Sequence, residues 1–361
     1  MPKSKDKSAL KVQKGIEQPA SINPDAVEKY KSTKQNLQEV REYVDGILAG
    51  EIGIMSKAIT IVESSLPGHQ KIAQEIIKSC LPHSGNSLRI GITGVPGAGK
   101  STFIEAFGKY LTSLGKKVAV LAIDPSSQRT KGSILGDKTR MEELATDKNA
   151  FIRPSPSAGS LGGVARKTRE SIIICEAAGF DTIIVETVGV GQSETAVHSM
   201  VDFFLLLMIP GAGDELQGIK RGIMEMADAI IINKADGDNI QKAKIAKREY
   251  ENALHLYPPT ESGWIPVVDM CSAINKEGIQ NTWDIVQRHN FFCKKTGFIE
   301  KRRHEQMLQI MLDSLDERLK ESFYSSPAIK KLLPKVKNDI LNDKISSYEG
   351  ARILFDNLKM R

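Results

Sequence analysis

The chain has 361 residues, of which 40% are hydrophobic and 26% charged, with a net charge of +6. That balance excludes fibrous and wholly disordered classes and fits a globular protein of one large domain with appendages, or of two domains. The positive excess sits at the ends, where residues 294–361 carry 15 Lys/Arg against 10 Asp/Glu; opposite charges are interleaved there without an aromatic-basic module, so a solvated helical face is expected and no nucleic-acid partner.

Residues 1–22 are polar and lysine-rich and read as a disordered tail. They lack the apolar core of a secretory signal and the arginine-rich pattern of a transit peptide. The longest apolar run, 203–209, is far short of the ~20 residues that cross a bilayer. A cytoplasmic protein with no membrane partner is therefore expected. A helical region is predicted over 23–87. Asn23-Pro24-Asp25 is a helix start, and Leu37, Val40, Val44 and Ile47 follow at helical spacing. A second helix is predicted over 54–65, stopped by Pro67-Gly68, and a third over 69–81.

From 88 to 293 strands and helices alternate. Strands are predicted over 88–93, 117–124, 150–153, 182–186, 203–209, 229–233 and 265–270, most of them continuous apolar runs. Such runs mark a parallel sheet with helices on both faces. The expected fold class is α/β, a mostly parallel sheet with helical N-terminal and C-terminal extensions, which the motif described next makes a P-loop NTPase sheet, and ligands belong at the strands' carboxyl ends. Residues 294–361 form a helical arm. Leu308, Leu312, Leu315, Leu319 and Phe323 share one face, Ser325-Ser326-Pro327 breaks it, and Ile329, Leu333, Val336 and Ile340 resume a stripe. An arm of this kind needs a surface to cover its apolar face, on its own domain or on a second subunit. Cys80, Cys175, Cys271 and Cys293 are far apart, and the histidines are dispersed, so no zinc site or disulfide framework is suggested.

The sharpest motif is Gly94-Val-Pro-Gly97-Ala98-Gly99-Lys100-Ser101-Thr102, which follows a predicted strand and opens a predicted helix. It is G-x-x-x-x-G-K-S in its required setting. Glycines let the backbone curl so that N–H groups converge on an anion, and the helix start adds its positive dipole end. Pro96 has no N–H, so the cradle falls to the amides of Gly97, Ala98, Gly99, Lys100 and Ser101. Lys100 is expected to reach the β- and γ-phosphates. The Ser101 hydroxyl suits Mg²⁺, which prefers hard oxygen ligands and substrate phosphates.

Asp124, Asp137 and Glu186 lie at or beyond the same sheet edge and could approach one Mg²⁺, directly or through water. Asp137 reads equally as a turn residue. Glu186 is the strand-end carboxylate, the usual second Mg²⁺ contact beside a P-loop. Gly189 can offer its N–H to the γ-phosphate. Asn233-Lys234-Ala235-Asp236 is N-K-x-D at a later strand end. The Asp236 carboxylate can accept from guanine N1–H and the 2-amino group, a donor pair that adenine lacks; such sites discriminate by roughly 10⁴. Lys234 can lie over the base and Asn233 brace the loop, while a backbone N–H at Ser272-Ala273 can meet guanine O6. Val190 follows Gly189 where small GTPases place the water-orienting glutamine, and Gln192 is two positions further on. Slow intrinsic hydrolysis is expected, with a group supplied by a partner or by rearrangement.

Taken in order, the P-loop, Asp124-Pro-Ser-Ser, Gly132 to Met141, Val185-Glu-Thr-Val-Gly-Val-Gly-Gln-Ser-Glu194, Gly213-Asp-Glu-Leu-Gln-Gly-Ile-Lys220 and Asn233-Lys-Ala-Asp resemble the MeaB family, bacterial relatives of the methylmalonic aciduria type A protein, some of them labelled ArgK. The resemblance covers about residues 25–361. It implies a homodimeric Mg²⁺-dependent GTPase that chaperones an adenosylcobalamin-dependent acyl-CoA mutase, chiefly methylmalonyl-CoA mutase. The cobalamin would be carried by the mutase. By the same resemblance Ser101, Asp124, Asp137 and Glu186 form the Mg²⁺ shell, and Lys100 and Glu186 serve catalysis. Gln192, Asp214, Glu215, Gln217 and Lys220 belong to the switch and coupling segments, and residues 294–361 to dimerisation. The rival reading, from the transport-kinase label, is a P-loop kinase passing the γ-phosphoryl group to a protein or metabolite.

Overall fold

The computed structural model describes residues 39–64, 66–123, 141–154, 161–187, 193–211 and 221–357. Seven parallel strands form one sheet in the order β3-β2-β4-β1-β5-β6-β7. They are β1 (Leu88–Gly94), β2 (Val118–Ile123), β3 (Ala150–Arg153), β4 (Thr182–Thr187), β5 (Phe203–Met208), β6 (Ala229–Ile232) and β7 (Val267–Met270). Each predicted strand is present. β2 starts one residue late and β5 and β6 end one residue early, while the largest shortening is at β7, where Ile265 is 80% exposed and lies outside the ladder. Its β-branched side chain reads as strand, but no neighbouring strand extends far enough to pair it.

Strand β1 lies at the centre, with β4 on one side and β5 on the other. β4 and β5 are wholly buried and β1 nearly so, which explains why they read as unbroken apolar runs. One face is covered by α1 (Val40–Leu48), α2 (Ile52–Glu63), α3 (Pro67–Cys80), α6 (Leu161–Ala177) and α7 (Ser193–His198). The other carries α4 (Lys100–Ser113), α5 (Glu142–Ala145) and α10 (Ile279–Lys295). A third cluster packs α8 (Arg221–Met226) and α9 (Ile240–Leu254) against β5, β6 and β7.

The N-terminal helices differ from expectation at two junctions. Pro67 begins α3 rather than ending α2. The first helical position has no intrahelical use for an N–H, so proline is well placed there. Gly53 likewise falls inside α2, which starts at Ile52.

The arm comprises α11 (Phe298–Ser325), α12 (Pro327–Leu341) and α13 (Ser347–Asp356). Its break falls at Ser326-Pro327, as predicted. Ile329 and Val336 are buried, with Gly350 packed so closely that a Cβ there would lie 2.7 Å from Ile340. The α11 stripe differs: Leu308, Leu312, Leu315 and Leu319 remain exposed. Among the described residues no helix is long and apolar enough to cross a membrane.

Candidate functional site

The carboxyl ends of β1, β4 and β6, with the loop after β7, meet at one edge of the sheet. Backbone crowding dictates the glycines there. A Cβ at Gly94 would lie 2.3 Å from the Leu207 carbonyl oxygen on β5. Gly99 caps α4 with φ +82°, and a Cβ on it would meet Asn233 Nδ2 at 2.9 Å. No L side chain fits either place without displacing backbone or a buried amide.

Lys100 is the first residue of α4, and its Nζ donates back to the Gly94 carbonyl at 2.9 Å and to that of Val95 at 3.4 Å. Burial pushes its pKa down, against the opposing pull of the Glu186 and Glu194 charges. Ala98 N–H closes on the Val95 carbonyl at 3.1 Å, a turn bond inside the loop. The Ser101 hydroxyl donates to Glu186 Oε1 at 3.4 Å, so these two oxygen groups face each other across the strand end. Behind them Thr187 Oγ1 donates to Thr93 Oγ1 at 2.8 Å, tying β4 to β1 where both strands end.

Asn233 is 2% exposed and joins three segments. Its Nδ2 donates to the Ala98 carbonyl at 2.8 Å, and its Oδ1 accepts from Ala273 N–H at 3.1 Å and from the Cys271 thiol at 3.4 Å. Lys234 adopts φ +59°, and its Cε lies 3.9 Å from the Cβ position of Gly99, so its stem runs across the P-loop. Asp236 follows in extended conformation, and its Oδ2 accepts from Ser272 Oγ at 2.5 Å. The 272–277 turn is closed by reciprocal backbone bonds between Ser272 and Glu277 at 3.0 and 3.1 Å.

The predicted residues Gly94, Gly97, Ala98, Gly99, Lys100, Ser101, Thr102, Glu186, Asn233, Lys234, Asp236, Ser272 and Ala273 are thus brought to one edge. Asp124, Asp137, Gly189, Gln192, Asp214, Glu215, Gln217 and Lys220 lie outside the described residues. Among the described residues no group of three His, Cys, Asp or Glu gathers as a metal site. Sequence reasoning assigns no site role to Glu194, which is 3% exposed in the first turn of α7 and acts on Lys100 together with Glu186. Its signal was available in the sequence: a carboxylate shortly after Gly189 and Gly191, three positions before Val197.

The residues present fit a nucleoside triphosphate and a hard divalent cation. Open space lies where a Gly97 Cβ would stand, a half-buried cation bends over the loop, and a hydroxyl–carboxylate pair sits beside it. Comparison with known proteins decides the family. The family profile described as methylmalonyl Co-A mutase-associated GTPase MeaB matches residues 55–328. The chain belongs to the MeaB family.

Similarity extends beyond the matched core. A putative GTPase of Caulobacter vibrioides is 50% identical over 305 residues, 84% of this chain and 93% of the relative. The mitochondrial methylmalonic aciduria type A homolog of Mus musculus is 44% identical over 326 residues, 88% of this chain and 79% of that protein. Among solved structures, one described as LAO/AO transport system kinase superposes with a TM-score of 0.72 at 38% identity, covering 90% of this chain and 99% of the other. The family's description is that of a GTPase, and the N-K-x-D stretch after β6 and the P-loop after β1 lie at the same edge of the sheet.

Proposed function

We propose that this chain is a Mg²⁺-dependent, guanine-specific GTPase that serves as a switch for an adenosylcobalamin-dependent acyl-CoA mutase, methylmalonyl-CoA mutase first among them. The single observation that carries the nucleotide half is Asn233. One buried amide binds the phosphate loop through Ala98 and the base-reading loop through Ala273, so the two ends of a guanine nucleotide are gauged against each other. The partner half rests on the family description and on the name of the mouse relative.

In this reading Lys100 leaves the Gly94 and Val95 carbonyls for the β- and γ-phosphates, exchanging two neutral acceptors for charged ones. Ser101 and Glu186, together with Asp124 and Asp137, would hold the metal. Bound Mg²⁺ supplies charge neutralisation at the β- and γ-oxygens. Asp236, fixed by Ser272, accepts guanine N1–H and the 2-amino group; the Ser272 and Ala273 N–H groups expected to meet O6 are instead engaged by the Glu277 carbonyl and Asn233 Oδ1. Water attacks the γ-phosphorus and the bond to the β–γ bridging oxygen breaks, giving GDP and phosphate. Gly189, Gln192, Asp214, Glu215, Gln217 and Lys220 are assigned to the segments that respond to the γ-phosphate and contact the mutase.

The exposed α11 leucines support a homodimer built on residues 294–361. We assign residues 23–87 to a helical N-terminal region and 88–293 to the GTPase domain. The kinase reading, favoured by the description of the solved relative, is separated by following the γ-phosphate. Labelled phosphate released free supports the GTPase; label retained on a protein or small-molecule acceptor supports the kinase.

A further inference from the structure

Helix α11 meets the rest of the chain in two different ways along its length. At its base the contacts are short. Arg303 donates from Nε and Nη2 to the two oxygens of Asp202 at 2.8 and 2.6 Å, and from Nη2 to the Ser87 carbonyl at 2.7 Å. Gln306 donates to the Val201 carbonyl at 3.1 Å, and Arg302 Nη2 to His198 Nε2 at 2.9 Å.

About two to three turns further along, the grip loosens. Arg169 Nη1 lies 3.4 Å from Asp313, and Arg166 Nη1 lies 3.8 Å from Glu317. A cavity of about 630 Å³ opens there between α6, α7 and α11. The Arg169 side chain is only 10% exposed, yet its Nε is buried without a hydrogen-bond partner. A desolvated guanidinium with an unmade bond is costly to keep. Its strong contact is to the other side: Nη2 donates to Ser199 Oγ at 2.6 Å, in the turn that closes α7. α7 begins at Ser193, directly after Gln192 in the stretch that starts at Glu186.

An arm pinned at its base and loosely held above a cavity is a lever. Arg169, the more buried of the two cations at the loose end, touches both the arm and the turn that closes α7. We propose that Arg169 is a positioning residue that couples the nucleotide site to the C-terminal arm, by holding Ser199 and Asp313 together in one nucleotide state and releasing Asp313 in the other. The inference rests on the GTPase reading above and adds the route by which the bound nucleotide reaches the arm. The unmade Nε bond and the cavity supply what a second arrangement needs, a donor to satisfy and room to move. The Arg303–Asp202 pair stays fixed in both.

The test is hydrogen–deuterium exchange on the full chain, with GDP and with a non-hydrolysable GTP analogue. In the wild type, exchange over 309–320 is expected to differ between the two states by roughly 2- to 30-fold, the range of residue-level coupling, while 302–306 stays protected in both. Arg169→Met is expected to abolish the difference while GDP affinity stays within about twofold of wild type. Arg169→Lys, which keeps charge but not the forked geometry, restores part of it. Asp313→Asn, at a half-exposed position that leaves folding intact, reduces it from the arm side. A wild-type chain that hydrolyses GTP but exchanges identically in both states overturns the coupling, as does an Arg169→Met chain that keeps the wild-type difference. A wild-type chain that binds no guanine nucleotide overturns the GTPase reading itself, and this inference with it.

Discussion

Lys100 and Asp236 are the residues whose loss speaks most directly to chemistry. Lys100 bends over the P-loop, its charge disfavoured by burial and supported by Glu186 and Glu194. Lys100→Ala is expected to abolish turnover in a phosphate-release assay; wild-type turnover would remove the whole site assignment. Asp236→Asn is expected to weaken GTP binding and relax the choice of base, read by competition with ATP. Ser272→Ala should act in the same direction but less, by roughly tenfold, since it removes one hydrogen bond to the reading carboxylate.

Two histidines, one buried and one half-buried, set opposite limits on stability. For His289, burial opposes the charge, but the hydrogen bond to Asp228 and the Cys293 contact hold its pKa up at about 9, against 6.5 unfolded. That contribution is full below pH 6.5 and lost as pH rises through 9, roughly 3 kcal/mol at its limit. For His198, burial and the Arg302 charge hold the pKa down at about 4. The folded chain refuses a proton that the unfolded chain takes, so this contribution is present above pH 6.5 and lost as pH falls towards 4. Urea midpoints across pH are therefore expected to peak near 6.5. His289→Gln should flatten the alkaline limb and His198→Gln the acid limb; limbs unchanged in both variants would contradict the assignment.

For the structural elements, the phosphate loop is dictated by close approach. Gly94→Ala pushes a methyl into the Leu207 carbonyl of β5, and a loss of about 2 kcal/mol or more is expected in thermal or denaturant unfolding. An unfolding midpoint equal to that of the wild type would show that β1 and β5 can separate there at little cost. The strands were legible in the sequence because a parallel sheet buried on both faces needs unbroken apolar runs, and Phe203–Met208 is such a run. Pro67 was read as a stop because proline marks both ends of helices, and only the chain's path decides which. Asn233 was legible as a brace, but its reach to Ala98 and Ala273 joins residues 135 and 40 positions away. No local pattern carries that information. Glu194 and Arg169 escaped for the same reason, since each looks like an ordinary polar residue on an amphipathic helix until its burial is known.

Across the whole molecule, the sheet and its two helical layers form a conventional scaffold, and the arm is the part left unfinished. Leu308, Leu312, Leu315 and Leu319 are exposed along one side of α11, with Met307 and Met311 beside them. Burying each leucine is worth roughly 1.5–3 kcal/mol, enough together to hold two copies. A Leu312→Asp, Leu315→Asp double variant is expected to run as a monomer in light scattering while the wild type runs as a dimer. A wild-type monomer would return the stripe to some other partner. The arm's base is a separate matter, since Arg303 and Asp202 form a buried pair whose disruption leaves a charge unpaired.

The central claim is that this chain hydrolyses GTP as a switch for a mutase. The most direct measurement is the rate of GTP hydrolysis by the purified protein, alone and with methylmalonyl-CoA mutase from the same organism. The account predicts slow, guanine-specific turnover alone and a rise of roughly 10-fold or more with the mutase, within the range that positioning groups supplied by a partner can reach. A rate that the mutase leaves unchanged, under conditions where GTP is turned over, would contradict it.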